Sequence, residues 1–371
     1  MLKRALVLFL ALLFVMMPLT SCAEEKKNEE KKTEEKEEKK TEEQESEEEP
    51  KLPAVLQGVE VEPLFYGQDP AEDGEFNVFL VGNSYSYYWL DELWGLLDAA
   101  GYENVRVCDV YYSGCKFYQH WEWYEKGEEN YAFQIYESTE RRVWTDVGLQ
   151  ECMTYANWDF IGFQQSGTYM YGENDGPDVF KESVDRDLPN LYRLLYQNFP
   201  EAQFCWVQHW VHEVGNSNKE GLSSQELQDF YVDGYKKVAY EICPEYGFVN
   251  VPLGDAWQAI RHDPLFYEKG TGDYPVRTLH TRIYGSKFVS MEEISNEDLS
   301  HDGDIGGGQY VNASVWFEVL THKSVVGNTF RPAYTWTQQN RVLTLSEAQI
   351  AMIQDAAHNA VLGCHGEDWY E

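Results

Sequence analysis

The chain has 371 residues, a formal net charge of −35 at neutral pH, and 15% aromatic residues. So strong a negative charge repels nucleic acid and anionic lipid, and argues against either as a partner. Seven cysteines occur without CxxC or Cys/His zinc spacing, which argues against a structural zinc module.

Residues 1–22 read as a secretory leader. Lys3 and Arg4 precede the apolar run "ALVLFLALLFVMM", which is too short and too near the terminus for a permanent span. It ends in "LTSC", Leu19 to Cys22. That tetrapeptide resembles a bacterial lipobox, in which the cysteine is diacylated and becomes the first mature residue. The plainer reading is an ordinary signal peptide with an incidental cysteine. A lipidated Cys22 implies stable anchoring, since each buried methylene contributes about 0.8 kcal/mol. The expected location is the bacterial cell surface or periplasm, held to the membrane by that lipid.

Residues 23–53 are a Glu/Lys tether without aromatic residues. With 14 Glu and 8 Lys between positions 24 and 51, it cannot bury enough apolar area to offset its chain entropy. The leader contributes +2 and the tether −6, which leaves −31 for residues 54–371. A neutral or weakly charged substrate suits such a surface. The aromatic surplus suits sugar stacking, although composition assigns no particular ring.

From residue 54 onward, apolar runs alternate with helical patterns. "FNVFLVG" predicts a first strand and "YYWLDELWGLLDAAG" a helix that stops at Gly101. "NVRVCDVYYSG" is the second strand. Residues 121–153 read as an insertion, with a hairpin in "YAFQIYESTERRVWTDVG". "WDFIGFQQSG" is the third strand and "FKESVDRDLPNLYRLLYQNFP" its helix. "AQFCWVQHW" is the fourth strand and "SSQELQDFYVDGYKKVAYEIC" its helix. "GFVNVPLGDAW" is the fifth strand. A second insertion, 262–297, precedes helices at "NASVWFEVL" and "SEAQIAMIQDAAHNAVLG". This alternation predicts a three-layer α/β/α sandwich around a mainly parallel five-stranded sheet. Ligands bind at the carboxyl ends of such strands, where Ser84, Gly114, Gln164 and Gln165 fall.

Ser84 follows the first strand in "VGNSYS". A serine at a strand-to-helix turn presents its hydroxyl beside a helix N-terminus, which favours developing negative charge. Alone, Ser84 or Ser86 also reads as a simple helix cap. "DLSH", Asp298 to His301, offers a base, in which His301 would take the serine proton and Asp298 orient the imidazole; alone, the pattern also reads as solvated loop residues. His209 and His212 lack a third metal ligand nearby. Cys115 reads better as a packed or disulfide-bonded thiol than as a nucleophile. After Cys22, six cysteines remain, an even number that permits disulfides without fixing a pairing.

Taken in order, "VGNSYS", "YYSGCKFYQHW", "WDFIGFQQSG" and "NEDLSHDG" resemble the four blocks of the SGNH, or GDSL-like, hydrolase superfamily. The resemblance is closest to a bacterial branch with GNS, GC..HW, WD…QQ and DxxH blocks, and it runs from about Asn77 to Gly363. It implies Ser84 as nucleophile, His301 as base and Asp298 as its partner. It implies an oxyanion hole from the backbone N–H groups of Ser84 and Gly114 with a side-chain amide, Gln164 first and Gln165 second. Two departures stand out. Asn83 replaces the usual aspartate, and the GxND block is replaced by Gln164-Gln165-Ser166. Some carbohydrate esterases of the superfamily use a glutamine there. Asn83 and His120 are candidate substrate contacts, with core hydrogen bonding the alternative for His120. The implied function is a cofactor-free, metal-free serine esterase acting on small acyl esters, acetyl first, of carbohydrate. A glycan-binding protein on the same fold and an acyltransferase are the alternatives.

Overall fold

The computed structural model describes residues 52–61, 74–87, 89–170, 176–211, 225–261, 307–336 and 341–370, with a few positions between 263 and 277. Asp298, His301, His212 and Cys22 lie outside the described residues. All described residues fall within one compact unit that begins at Leu52.

The sheet has seven strands: β1 (Phe76–Val81), β2 (Val105–Tyr111), β3 (Tyr131–Tyr136), β4 (Arg141–Val147), β5 (Phe160–Phe163), β6 (Gln203–Val207) and β7 (Val249–Val251). Their order is β4-β3-β2-β1-β5-β6-β7. The pairs β2–β1, β1–β5, β5–β6 and β6–β7 are parallel. These are the five expected parallel strands, in the order 2-1-3-4-5 that right-handed crossovers produce. The sheet exceeds five strands because the hairpin of residues 131–148 does not fold apart from it. β3 pairs antiparallel with β2, and β4 with β3, which extends the edge.

Why β1 sits at the centre is legible in its residues. Both faces of a parallel strand are covered, so every second residue feeds a different layer. Val78 and Leu80 enter one apolar cluster, while Phe79 and Val81 enter the other. The first layer holds α2 (Leu90–Ala99), α7 (Leu253–Ile260), α8 (Gly308–Thr321) and α9 (Glu347–His365). The second holds α3 (Phe117–Lys126), α5 (Pro177–Asn198) and α6 (Gln225–Tyr246). Two short helices complete the set, α1 (Ser84–Tyr87) and α4 (Leu149–Met153).

α8 is buried on every side, so it carries no amphipathic stripe. It lies close against the sheet because Gly162 of β5 has no side chain. A Cβ there would meet Leu80 at 2.6 Å and Trp316 at 2.7 Å. α9 starts with a capping box: Ser346 Oγ accepts from the Gln349 N–H at 3.2 Å, and Gln349 Oε1 accepts from the Ser346 N–H at 2.9 Å.

Two readings are corrected. "GFVNVPLGDAW" is strand only through Val251; Leu253 begins α7. Gly254 permits that close turn, since a Cβ would lie 2.2 Å from the His209 carbonyl oxygen. Residues 121–126, read as the start of an insertion, belong to α3, which ends at Gly127 in the left-handed region (φ +64°). An antiparallel pair, Ala333–Trp336 with Arg341–Thr344, was not expected. The six described cysteines are free thiols.

Candidate active site

β1 lies between β2 and β5, so the turns after these three strands meet at one edge of the sheet. Ser84 opens α1 after β1, Gly114 lies in the turn after β2, and Gln164 directly follows β5. Asn83 ties the three together. Its backbone N–H donates to Gln164 Oε1 at 3.0 Å, and its Nδ2 donates to the Cys115 carbonyl at 3.0 Å. Its Oδ1 accepts from the Tyr85 N–H at 3.1 Å, a turn bond that fixes the start of α1. Asn83 is 2% exposed. It is therefore a structural hub, with its side-chain amide engaged at both ends inside the protein.

His120 behaves likewise. It is fully buried on α3. A carbonyl oxygen only accepts, so His120 Nε2–H donates to the Gly82 carbonyl at 3.1 Å, and Nδ1 accepts from the Tyr131 hydroxyl at 2.9 Å. Burial lowers its pKa to about 4, which keeps the ring neutral. Both ring nitrogens are engaged in core hydrogen bonds, and the ring braces the residue two before Ser84.

Ser84 is half-buried. Among the described residues, its hydroxyl has no hydrogen-bond partner, and neither do the backbone N–H groups of Ser84 and Gly114. An N–H in the first turn of a helix has no intrahelical partner by construction. Gly114 is exposed, with φ +65°, a conformation that glycine adopts without strain. Two N–H donors and one hydroxyl thus stand open at the strand ends.

The glutamines are different. Gln164 is 1% exposed and Gln165 is fully buried. Gln164 Oε1 faces the Asn83 N–H, which fixes the amide's orientation, and its Nε2 donates to the Gln165 carbonyl. His209 Nε2 lies 2.7 Å from that same carbonyl and 2.9 Å from Gln164 Nε2. The carbonyl only accepts, so the histidine hydrogen goes to it. The second Gln164 N–H then faces a nitrogen with no lone pair left. Gln165 is engaged throughout: Oε1 accepts from the Phe117 and Ser166 N–H groups at 3.2 and 3.0 Å, and Nε2 donates to Ser183 Oγ at 3.2 Å. Gln165 is thus a buried tie between the β5 turn, α3 and α5.

His209, at the end of β6, went unassigned in the sequence. Its pKa is lowered to about 4 by burial, and its Nδ1 is buried without a partner. Cys115 is buried, and burial raises its thiol pKa far above the usual range, so it is no thiolate nucleophile. Among the described residues, no group of three or more His, Cys, Asp or Glu is arranged to hold a metal ion.

No family model matches the chain, and no curated protein matches it. Among solved structures, it is similar to a DUF4886 family protein from Bacteroides uniformis. That likeness has a TM-score of 0.55 and 21% identity over 78% of this chain and 95% of the other. It is also similar to a GDSL-like lipase from Bacteroides thetaiotaomicron, with a TM-score of 0.31 and 9% identity over 56% and 83% of the two chains. An extracellular lipase from Streptomyces rimosus has a TM-score of 0.31 and 11% identity over 54% and 92%. The first is a likeness of fold, an α/β sandwich with a central, mostly parallel sheet. The two lipases align too loosely to add to it.

Proposed function

We propose that the protein is a serine ester hydrolase of the SGNH type, with Ser84 as nucleophile. One observation carries this reading: the Asn83 hub holds an unpartnered serine hydroxyl and two unpartnered backbone N–H groups at the same sheet edge. An acyl-transfer site needs that combination, a nucleophile beside donors aimed where the oxyanion develops. Removing one such donor costs about 3 kcal/mol in comparable enzymes.

His301 is the proposed base and Asp298 its orienting partner, both on the strength of the DxxH block alone. Ser84 Oγ attacks the ester carbonyl while His301 takes its proton. The alcohol leaves with that proton, and water activated by His301 releases the acid. The proposed hole consists of the Ser84 and Gly114 N–H groups, while the Gln164 amide is turned inward toward the Gln165 carbonyl and His209. The proposed substrate is a small acyl ester, acetyl first, on a carbohydrate. Tyr112 and Tyr118, each 41% exposed and within four residues of Gly114 in the sequence, are proposed to support the sugar. The protein is proposed to act as a surface lipoprotein anchored through Cys22, which labelled palmitate incorporation and a Cys22→Ala variant test.

The second reading, a glycan-binding protein of weak or no activity, draws on the buried glutamines, which leave the hole with two ready donors. Acetate release from p-nitrophenyl acetate and from a panel of O-acetylated glycans separates the two readings. Turnover lost in Ser84→Ala supports the hydrolase. Equal background turnover in both proteins supports the binding protein.

A further inference from the structure

The turn that carries Ser84 rests on a contact whose hydrogens do not add up if every acid is ionised. Ser86 Oγ lies 2.7 Å from the Asn83 carbonyl oxygen and 2.6 Å from Asp109 Oδ1. Both are hydrogen-bond distances for oxygen pairs. A serine hydroxyl carries one hydrogen and a carbonyl oxygen none. If Ser86 donates to a charged Asp109, its lone pairs face the Asn83 carbonyl at 2.7 Å with no hydrogen between them. If Ser86 donates to Asn83, the Asp109 contact needs a hydrogen, and only a protonated carboxyl supplies it.

The surroundings of Asp109 point the same way. It is fully buried at the centre of β2. Its Oδ2 is buried and has no hydrogen-bond partner among the described residues, which a carboxylate would bear at a large desolvation cost. Its in-register neighbours are Leu80 on β1 and Gln134 on β3, whose Oε1 is also buried without a partner. The titratable groups on the elements packed against it bring no positive charge: Tyr85 on α1; Asp91, Glu92 and Asp98 on α2; Tyr131 and Tyr136 on β3. The Cys115 and Cys152 thiols that couple to it are held neutral by burial. Arg106, toward the start of β2, is engaged by Glu75 and Glu137. Burial pushes the Asp109 carboxyl well above the ordinary range, and among the described residues no cation offsets it.

We propose that Asp109 is a neutral carboxylic acid at physiological pH, donating its hydrogen to Ser86 and so bracing the turn that presents Ser84. It is a positioning residue: it acts through Ser86 and the Asn83 carbonyl, two bonds removed from the nucleophile. Its effect on turnover rests on the hydrolase reading above; its protonation state does not.

Infrared spectroscopy of the wild-type protein at pH 7, with and without 13C in the aspartate carboxyls, reads the proton directly. The expected result is an acid carbonyl band that shifts with the aspartate label, shifts again in D2O, and is missing from Asp109→Asn. The aspartate label separates it from Glu318, a buried glutamate also raised by burial. Unfolding by urea between pH 4 and 8 gives a second reading. Because the folded pKa is raised, the folded state holds a proton that the unfolded state loses. Stability attributable to Asp109 is then complete below the unfolded pKa and lost as pH rises toward the folded one. Asp109→Asn, permanently neutral and still a donor, should gain on wild type by about tenfold in the folding constant per pH unit in that window. Turnover on p-nitrophenyl acetate should fall in Asp109→Leu and be restored by Asn. An absent labelled band, or a stability difference flat in pH, overturns the proposal. Loss of the hydrolase reading, seen as Ser84→Ala turnover equal to wild type, would leave the band in place.

Discussion

Asn83→Asp installs the residue that SGNH-type blocks carry before the serine, and the structure predicts that it harms this protein. Asn83 makes two side-chain bonds of opposite kind. An aspartate keeps the acceptor for the Tyr85 N–H. It loses the donor to the Cys115 carbonyl, which becomes a buried unsatisfied acceptor at about 1–3 kcal/mol. The new carboxylate would also face that carbonyl at a position 2% exposed. Burial and the carbonyl both disfavour its charged form, so its folded pKa is raised, and each unit is worth about 1.4 kcal/mol. The sign follows: protonated, the acid regains a donor, so the penalty is smallest near pH 4 and grows as pH rises toward the folded pKa. We expect a loss of roughly 2–4 kcal/mol at pH 8 by urea unfolding, shrinking to about 1 kcal/mol near pH 4. A variant within 0.5 kcal/mol of wild type at pH 8, or a penalty that does not vary with pH, would refute the role given to the Cys115 bond.

Other outcomes follow from the same geometry. Gly82→Ala sets a Cβ 2.7 Å from Gln164 Oε1 and 3.0 Å from Ser86 Oγ. It should lower kcat on p-nitrophenyl acetate by roughly tenfold to a hundredfold, since small displacements of a positioned nucleophile have that effect. Gly162→Ala drives a methyl group into Leu80 and Trp316 and should destabilise the domain by about 1–3 kcal/mol in thermal or urea unfolding. Tyr112→Ala and Tyr118→Ala remove exposed rings close to Gly114 in the sequence. They should raise KM several-fold for O-acetylated glycans while leaving p-nitrophenyl acetate turnover unchanged.

Much of this was legible in local pattern. Parallel strands buried on both faces read as apolar runs, and β1, β2, β5 and β6 are such runs ending in turn residues. The strand-end rule then brought Ser84, Gly114 and Gln164 to one edge without any contact information. What failed was long-range or short. α3 buries only Phe117 and His120, so its inward face is too small to announce a helix in the sequence. α7 follows a three-residue strand with only Pro252 between them, and the close approach that Gly254 permits involves residues 45 positions away. The roles of Asn83, His120 and Gln165 depend on partners 32 to 81 positions distant, and no spacing in the sequence announces such bonds. Asp109 illustrates the limit. In the sequence it is one acid within a strand, and its protonation is set by Ser86, 23 residues away, and by total burial.

The measurement that bears most directly on Ser84 is covalent capture. The purified domain is treated with a fluorophosphonate, which phosphonylates activated serines, and the adduct is mapped by peptide mass spectrometry. A nucleophilic Ser84 predicts one adduct on the peptide containing Ser84, absent from Ser84→Ala and strongly reduced in His301→Ala. No adduct, or one on Ser86 or Ser113 instead, would contradict the assignment of Ser84 as nucleophile.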